Sequence, residues 1–386
     1  MPYILDISTA VPDNKINNEH VRRFYTNFLE KTKSGPIKDK ISLIIENSKI
    51  NTRYSCIPDF SGTGNEMFSE NNYNPSVKER MDLYKEKIAP LSIKAIDKLF
   101  IQTQTSSKDI THLITVSCTG LMAPGLEFYL SRHYNLLNAE KHSINFMGCY
   151  AALKAINYAN HIANSVTDSC VLIICTELCS LHFNASTEME DIIANLIFAD
   201  GAAAMLLCGE KSKLIKNKPL FHIHKTGSAC IPDTLGLMTW NVTPDAFRMH
   251  LSRKIANAIK DSIKAESELF LDTENLSADH YAIHPGGIRI INAVKEGLYL
   301  NDDDISDSLS ILNQYGNMSS PTVLFILKNI FDKINSGNGK GHNGIFTCAF
   351  GPGLNIEMLY LTPVNIPGSL TISGLTNTHA IHNSVI

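Results

Sequence analysis

The sequence contains no Cys-x-x-Cys pair, no basic excess and no apolar run long enough to cross a bilayer. Each absence closes a class of function. Nine cysteines, mostly in apolar contexts such as Cys170, Cys175 and Cys208, read as reduced, buried thiols, and no metal site is expected. A formal net charge of −4 argues against nucleic acid as a partner, because tracking a phosphate backbone takes a surplus of Lys and Arg. The most apolar stretches, Val171 to Cys175 and Ala202 to Cys208, are too short for a membrane span. The start, Met-Pro-Tyr-Ile-Leu-Asp, lacks the basic and apolar regions of a secretion signal. The expectation is a cytoplasmic protein.

What is present is a globular balance, 44% apolar and 19% charged over 386 residues, enough chain for two domains or one duplicated unit. Residues 31 to 80, rich in Lys, Asn and Ser, have no core pattern and predict an irregular or short-helical surface section. Strand and helix patterns alternate beyond it. Leu91 to Phe100 and Leu126 to Leu137 have helical apolar spacing, and Cys149 to Ala163 is an Ala-rich helical segment. Leu113 to Cys118, Ile144 to Met147, Val171 to Cys175 and Ala202 to Cys208 read as short strands.

After a basic connector, Lys211 to Lys218, a second half opens at Leu220 to His224 and repeats the same grammar. Ala123-Pro124-Gly125 is echoed by His284-Pro285-Gly286, which follows the apolar strand Tyr281 to Ile283. Gly148-Cys149-Tyr150-Ala151-Ala152 is echoed by Gly316-Asn317-Met318-Ser319-Ser320, each read as a strand-to-helix corner. Ala199-Asp200-Gly201-Ala202 is echoed by Phe350-Gly351-Pro352-Gly353 before the strand Leu354 to Leu361. Three echoes in order predict an internal duplication of an α/β unit, with halves at residues 1–218 and 219–386. A pseudo-two-fold axis would then set Cys149 and Asn317 on equivalent corners facing one cavity.

Cys149 precedes an Ala-rich helix, whose unpaired N–H groups and positive end lower a nearby thiol's pKa, more so beside an imidazolium. His284 opens a His-Pro-Gly-Gly corner that fixes its direction. Taken singly, His284 is an ordinary loop histidine and Asn317 a helix N-cap. As a Cys, His and Asn on three Gly-flanked corners of a duplicated fold they form a set suited to acyl transfer.

The segments VSCTGLMAPG, MGCYAALKAINYA, LIFADGAAAML, AIHPGG, QYGNMSS and FGPGLNIEML resemble, in order, the signature regions of type III polyketide synthases, chalcone synthase-like members of the thiolase-like condensing enzymes. The resemblance covers about residues 110 to 362. It implies a thiolase-like α/β fold with duplicated halves in a five-layered αβαβα core. It also implies a catalytic triad of Cys149 (nucleophile), His284 and Asn317, with Phe198 as the gatekeeper between a CoA tunnel and the reaction cavity. The substrates implied are an acyl-CoA starter and malonyl-CoA, with no further cofactor.

The family's cavity positions fall on Cys118, Thr119, Cys179, His182, Trp240 and Ser319, with Gly351, Pro352 and Gly353 as a cavity-lining loop. This set departs from the plant chalcone-forming pattern and is similar to bacterial alkylpyrone and alkylresorcinol synthases, which implies a fatty acyl starter. Trp240 reads equally as a core aromatic. Lys40 falls at one family position for CoA phosphate, with Lys38, Lys49 and Arg53 nearby. A homodimer is implied too, although Ala123 stands where the plant enzymes have a methionine. A papain-like reading explains neither the duplication nor FGPG. The thiolases' second cysteine would fall near Cys348, which reads as a strand residue instead. A ketoacyl-ACP synthase III and a non-catalytic acyl-binding relative stay as alternatives.

Overall fold

The computed structural model describes residues 1–32, 38–69, 72–217, 221–337 and 344–364. The tail after Val364, Lys218 at the end of the basic connector, and Leu220 lie outside the described residues. The chain opens with β1 (Tyr3–Ala10), β2 (Asn14–Asn17), α1 (Asn18–Thr32), α2 (Lys38–Asn47) and β3 (Thr52–Ser55). It continues through α3 (Val77–Thr103), β4 (His112–Ser117), α4 (Leu126–His133), β5 (Glu140–Asn145), α5 (Ala151–Ser165), β6 (Cys170–Leu178), α6 (Met189–Ile197) and β7 (Asp200–Cys208). The second half runs through β8 (Phe221–Cys230), β9 (Met238–Val242), β10 (Phe247–Leu251), α7 (Ile255–Asp272), β11 (His280–Ile283) and α8 (Ile288–Gly297). It closes with α9 (Ser306–Tyr315), α10 (Thr322–Asn335), β12 (Ile345–Gly351) and β13 (Asn355–Pro363).

Side-chain alternation sets the layers. In β7, Ala202, Ala204, Leu206 and Cys208 face one core cluster while Ala203, Met205 and Leu207 face another, all fully buried. A strand covered on both faces needs apolar residues at every position, which is why β6 and β7 are legible as unbroken apolar runs. The first cluster packs β6 and β7 against α3. The second holds α5 and α10 against strands of both halves, from Ile4 and Val171 to Ile345 and Leu361. The third packs β12 and β13 against α7 and α8. Helix, sheet, helix, sheet, helix is the expected five-layer order.

Pairing repeats between the halves. From β1 outward, β1–β7 and β7–β6 are antiparallel, and β6–β4 and β4–β5 parallel. From β8 outward, β8–β13 and β13–β12 are antiparallel, and β12–β11 parallel. The halves join where Tyr3 and Ile4 pair with His222 and Phe221, giving one nine-stranded sheet among the described residues.

Two expectations are corrected. The corner before Asn317 leaves a helix, α9, rather than a strand, and Asn317 keeps only an isolated bridge to Phe198. Residues 31 to 80 also contribute to the core, through Ile41, Ile45, Ile57 and Phe68. Ile41 and Ile45 stand one turn apart on the short helix α2, whereas Phe60 and Phe68 follow no period and lock through aromatic contacts, Phe24–Phe60 at 4.8 Å and Phe68–Phe183 at 5.3 Å between centroids. Asp59 Oδ1 fixes the loop by accepting from the N–H groups of Met67 at 3.1 Å and Phe68 at 2.7 Å.

Candidate active site

Cys149 sits in a tight turn, Gly148–Tyr150, between β5 and α5. That turn exists because two glycines let backbones meet. Gly148 has φ +76 and lies where a Cβ would fall 2.6 Å from Pro352, while a Cβ on Gly351 would fall 2.2 Å from the Tyr150 ring. The FGPG loop thus braces the Cys149 corner. Pro352 lines the cavity beyond it, whereas Gly351 and Gly353, expected as lining residues, lie outside that lining, Gly351 as a backbone spacer and Gly353 as a turn at φ +75.

Asn317 follows α9 and precedes α10, whose N-cap is Pro321, so the N-cap reading of Asn317 does not hold. Its Oδ1 accepts from Ser319 N–H at 2.8 Å, turning Nδ2 toward Cys149 Sγ at 4.0 Å. The two corners therefore meet. His284 is buried at the end of β11, its backbone N–H bonded to Cys348 O at 2.9 Å, and neither ring nitrogen has a hydrogen-bond partner. Cys348 is a buried residue of β12.

The expected low pKa of Cys149 is not what this environment gives. Burial pushes the thiol up to about 11, against opposing hydrogen bonds from Ser319 and Asn317. Burial likewise pulls His284 down to about 3. In both cases the cause is the same: burial takes the ionised form out of water and disfavours it.

Two cavities meet at this point, and Cys149, Phe198, Met238 and Met249 line both. The first, with an empty volume of about 1020 Å³, holds Cys118, Thr119, Cys179, His182, Trp240 and Ser319, every side chain expected there. The second, about 1410 Å³, holds His284 and Asn317 and is walled by α2, α7 and the start of α8. Phe198 stands at the partition. Lys40 is exposed on α2 outside both linings. The cations lining the second cavity are Arg253 and Arg289, which no sequence pattern singled out.

The first cavity's polar residues are fixed by one another. Phe247 N–H donates to His182 Nδ1 at 3.2 Å, so Nε2 carries the proton and donates to Thr119 O at 2.6 Å. His182 stacks on Phe247 at 4.3 Å, and burial holds its pKa near 3. Trp240 Nε1 donates to Cys118 O at 2.8 Å. Sequence reasoning missed Glu177, a fully buried carboxylate at the end of β6. It accepts from Cys118 N–H at 2.9 Å, Thr119 Oγ1 at 2.8 Å and Ser320 Oγ at 2.6 Å. Burial raises its pKa against those bonds. A lone glutamate inside an apolar run was the available signal.

A duplicated, five-layered α/β fold that brings a buried Cys and Asn to one junction, with a His on the same cavity, has the thiolase-like architecture. Residues 2–211 match the family model "Chalcone and stilbene synthases, N-terminal domain" and residues 222–365 the C-terminal domain of the same family. The chain belongs to that family, the type III polyketide synthases. It is 26% identical over 373 residues to "Probable polyketide synthase 1" of Dictyostelium discoideum, covering 94% of this chain and 11% of that protein's length. The crystal structure of PKS-I from the brown alga Ectocarpus siliculosus superposes with a TM-score of 0.87 at 28% identity, over 94% of this chain and 98% of that one. The C-terminal type III polyketide synthase domain of Steely1, a type I/III hybrid from Dictyostelium, gives 0.83 at 25% identity, over 94% and 99%. Among the described residues no helix is long and apolar enough to cross a membrane.

Proposed function

We propose that the protein loads a fatty acyl group from CoA onto Cys149 and extends it with malonyl-CoA, closing the product as an alkylpyrone or alkylresorcinol. The observation that carries this reading is the position of Cys149 at the meeting point of two cavities, with the Asn317 amide 4.0 Å from its sulfur. The Cys149 thiol attacks the acyl-CoA carbonyl, and CoA leaves as its thiol with the proton. Malonyl-CoA loses carbon dioxide, and the N–H groups of His284 and Asn317 hold the enolate oxygen as charge develops. The enolate carbon attacks the Cys149 thioester, the carbon–sulfur bond breaks, and the thiolate is released for the next loading. Neutral His284 suits this role, since a neutral imidazole keeps one N–H to donate. CoA thioesters are the only small molecules this sequence of steps consumes.

The second cavity suits the pantetheine arm, with Arg253 and Arg289 as the phosphate contacts in place of Lys40. A homodimer fits the exposed apolar side chains beside the Pro124 corner, Leu121, Phe128 and Tyr129, each about half exposed. Mixing the protein with malonyl-CoA and a long-chain acyl-CoA should release CoA and carbon dioxide, and Cys149→Ala should abolish acyl loading. Binding of both thioesters without release would leave a non-catalytic acyl-binding protein. Release that requires an acyl carrier protein in place of malonyl-CoA would move the chain to the ketoacyl-ACP synthase III reading.

A further inference from the structure

Four polar atoms on residues lining the first cavity have no hydrogen-bond partner within the protein: the Tyr25 hydroxyl and the N–H donors Arg53 Nη2, Asn184 Nδ2 and Arg248 Nε. The three N–H donors belong to one polar stripe. The Asp245 carboxylate pairs with Arg248 Nη2 at 2.8 Å, and the same nitrogen donates to Asn184 Oδ1 at 3.2 Å, which fixes that amide with Nδ2 left over. Asn195 Oδ1 accepts from Asn184 N–H at 3.1 Å and Asn195 Nδ2 donates to Asn184 O at 2.8 Å. Arg53 Nη1 reaches Asn195 O at 3.4 Å. Arg53 is 5% exposed and Asn184 2%.

The surplus leans one way. Three of the four leftover atoms are N–H donors, two of them on guanidinium groups, and the Tyr25 hydroxyl can donate as well as accept. Asp191 lines the same cavity but forms no ion pair with Arg53 among the described residues. Burial draws the Arg53 pKa down to about 10, the response of a cation held from water without a countercharge. A buried charge of this kind is costly unless something pairs with it. A plain alkyl chain in the cavity would satisfy none of these donors. An oxygen acceptor would satisfy them, and an anionic one would also neutralise Arg53.

We infer that the first cavity is built for an acyl chain that carries a carboxylate away from its thioester, held by Arg53 and Asn184 with Arg248 beside them. The inference rests on the proposed use of this cavity for the acyl group, and it replaces a simple fatty chain with an oxygenated one. The apolar wall of Phe24, Phe60 and Phe183 then contacts the methylene stretch, while the stripe selects what the chain bears.

The test uses three starter acyl-CoAs of equal length whose chains end in methyl, hydroxyl or carboxylate. Their affinities for the Cys149→Ala protein are measured by calorimetry, and CoA release with malonyl-CoA is measured on the intact enzyme. The carboxylate should bind more tightly than the methyl starter by about tenfold or more, the worth of a hydrogen bond to a charged group, with the hydroxyl between them. Arg53→Met and Asn184→Leu should each bring that ratio toward one. Equal affinities, or a ratio unmoved in both variants, overturn the inference. Preference in binding with no CoA release keeps the subsite and refutes the condensing reading, whereas release without preference does the reverse.

Discussion

Replacing Gly351 by alanine measures how tightly the Cys149 corner is held. The new Cβ would fall 2.2 Å from Tyr150 Cδ1, 2.5 Å from Cε1 and 3.1 Å from the Met147 carbonyl oxygen, where comfortable contact begins near ~3.5 Å. A ring attached to the residue after Cys149 cannot yield as the tip of a lysine would. Either the end of β12 moves or the Cys149 turn does. Overpacking of this kind costs about 1–3 kcal/mol. Unfolding entropy near 2.1 cal/mol/K per residue gives about 0.8 kcal/mol/K for 386 residues, so the melting midpoint should fall by about 1–4 °C. Turnover should fall further, since a displacement near 1 Å at a reacting centre costs roughly 100-fold. A double-mutant cycle with Tyr150→Leu isolates the cause: in that background the Gly351→Ala cost should shrink by most of its value. Equal costs in both backgrounds would show that the ring is not what occupies the space, and the bracing argument would fail.

His182 makes the fold sensitive to acid. Its folded pKa near 3 lies below the ordinary 6.5, so the unfolded chain takes up a proton that the native state refuses. Stability is complete above pH 6.5 and lost as pH falls, by about 2 kcal/mol at pH 5 from this group alone. His182→Gln should flatten the melting profile between pH 6.5 and 5 by about one proton's worth of slope, the similarly depressed His284 supplying the remainder; an unchanged slope contradicts the assignment. Phe198→Ala should merge the two cavities and shift product masses toward extra extension units, and a product profile identical to wild type would mean Phe198 does not partition them.

Much of this architecture can be read from the residues. Strands buried on both faces leave unbroken apolar runs, so β6 and β7 stand out, and the glycines flanking Cys149 and Asn317 mark corners that no side chain could replace. Legibility ends where structure depends on contacts distant in sequence. Glu177 resembles an ordinary strand-end charge until Cys118, Thr119 and Ser320 arrive from two other segments to bond it. The β9–β10 hairpin carries Trp240 and Phe247 into the cavity, yet its alternation is too short and too polar to stand out. The Cys149 thiol follows the same rule: a helix start is visible in the sequence, whereas the depth of burial that raises its pKa is not. The same holds for Arg53, which residues distant in the chain, such as Asn195, bury to 5% exposure.

The strand β1 lies at the centre of the sheet, bonded to β7 on one side and to the first residues of β8 on the other. Made before either partner, β1 therefore waits for β7 and β8 before it can pair. The first half cannot close its sheet until β7 has been synthesised, the second must wait for β13, and the join between them needs β8. Pairings so distant along the chain are slow to form and leave strand edges open meanwhile. Deleting β1 would remove the strand that joins the two halves.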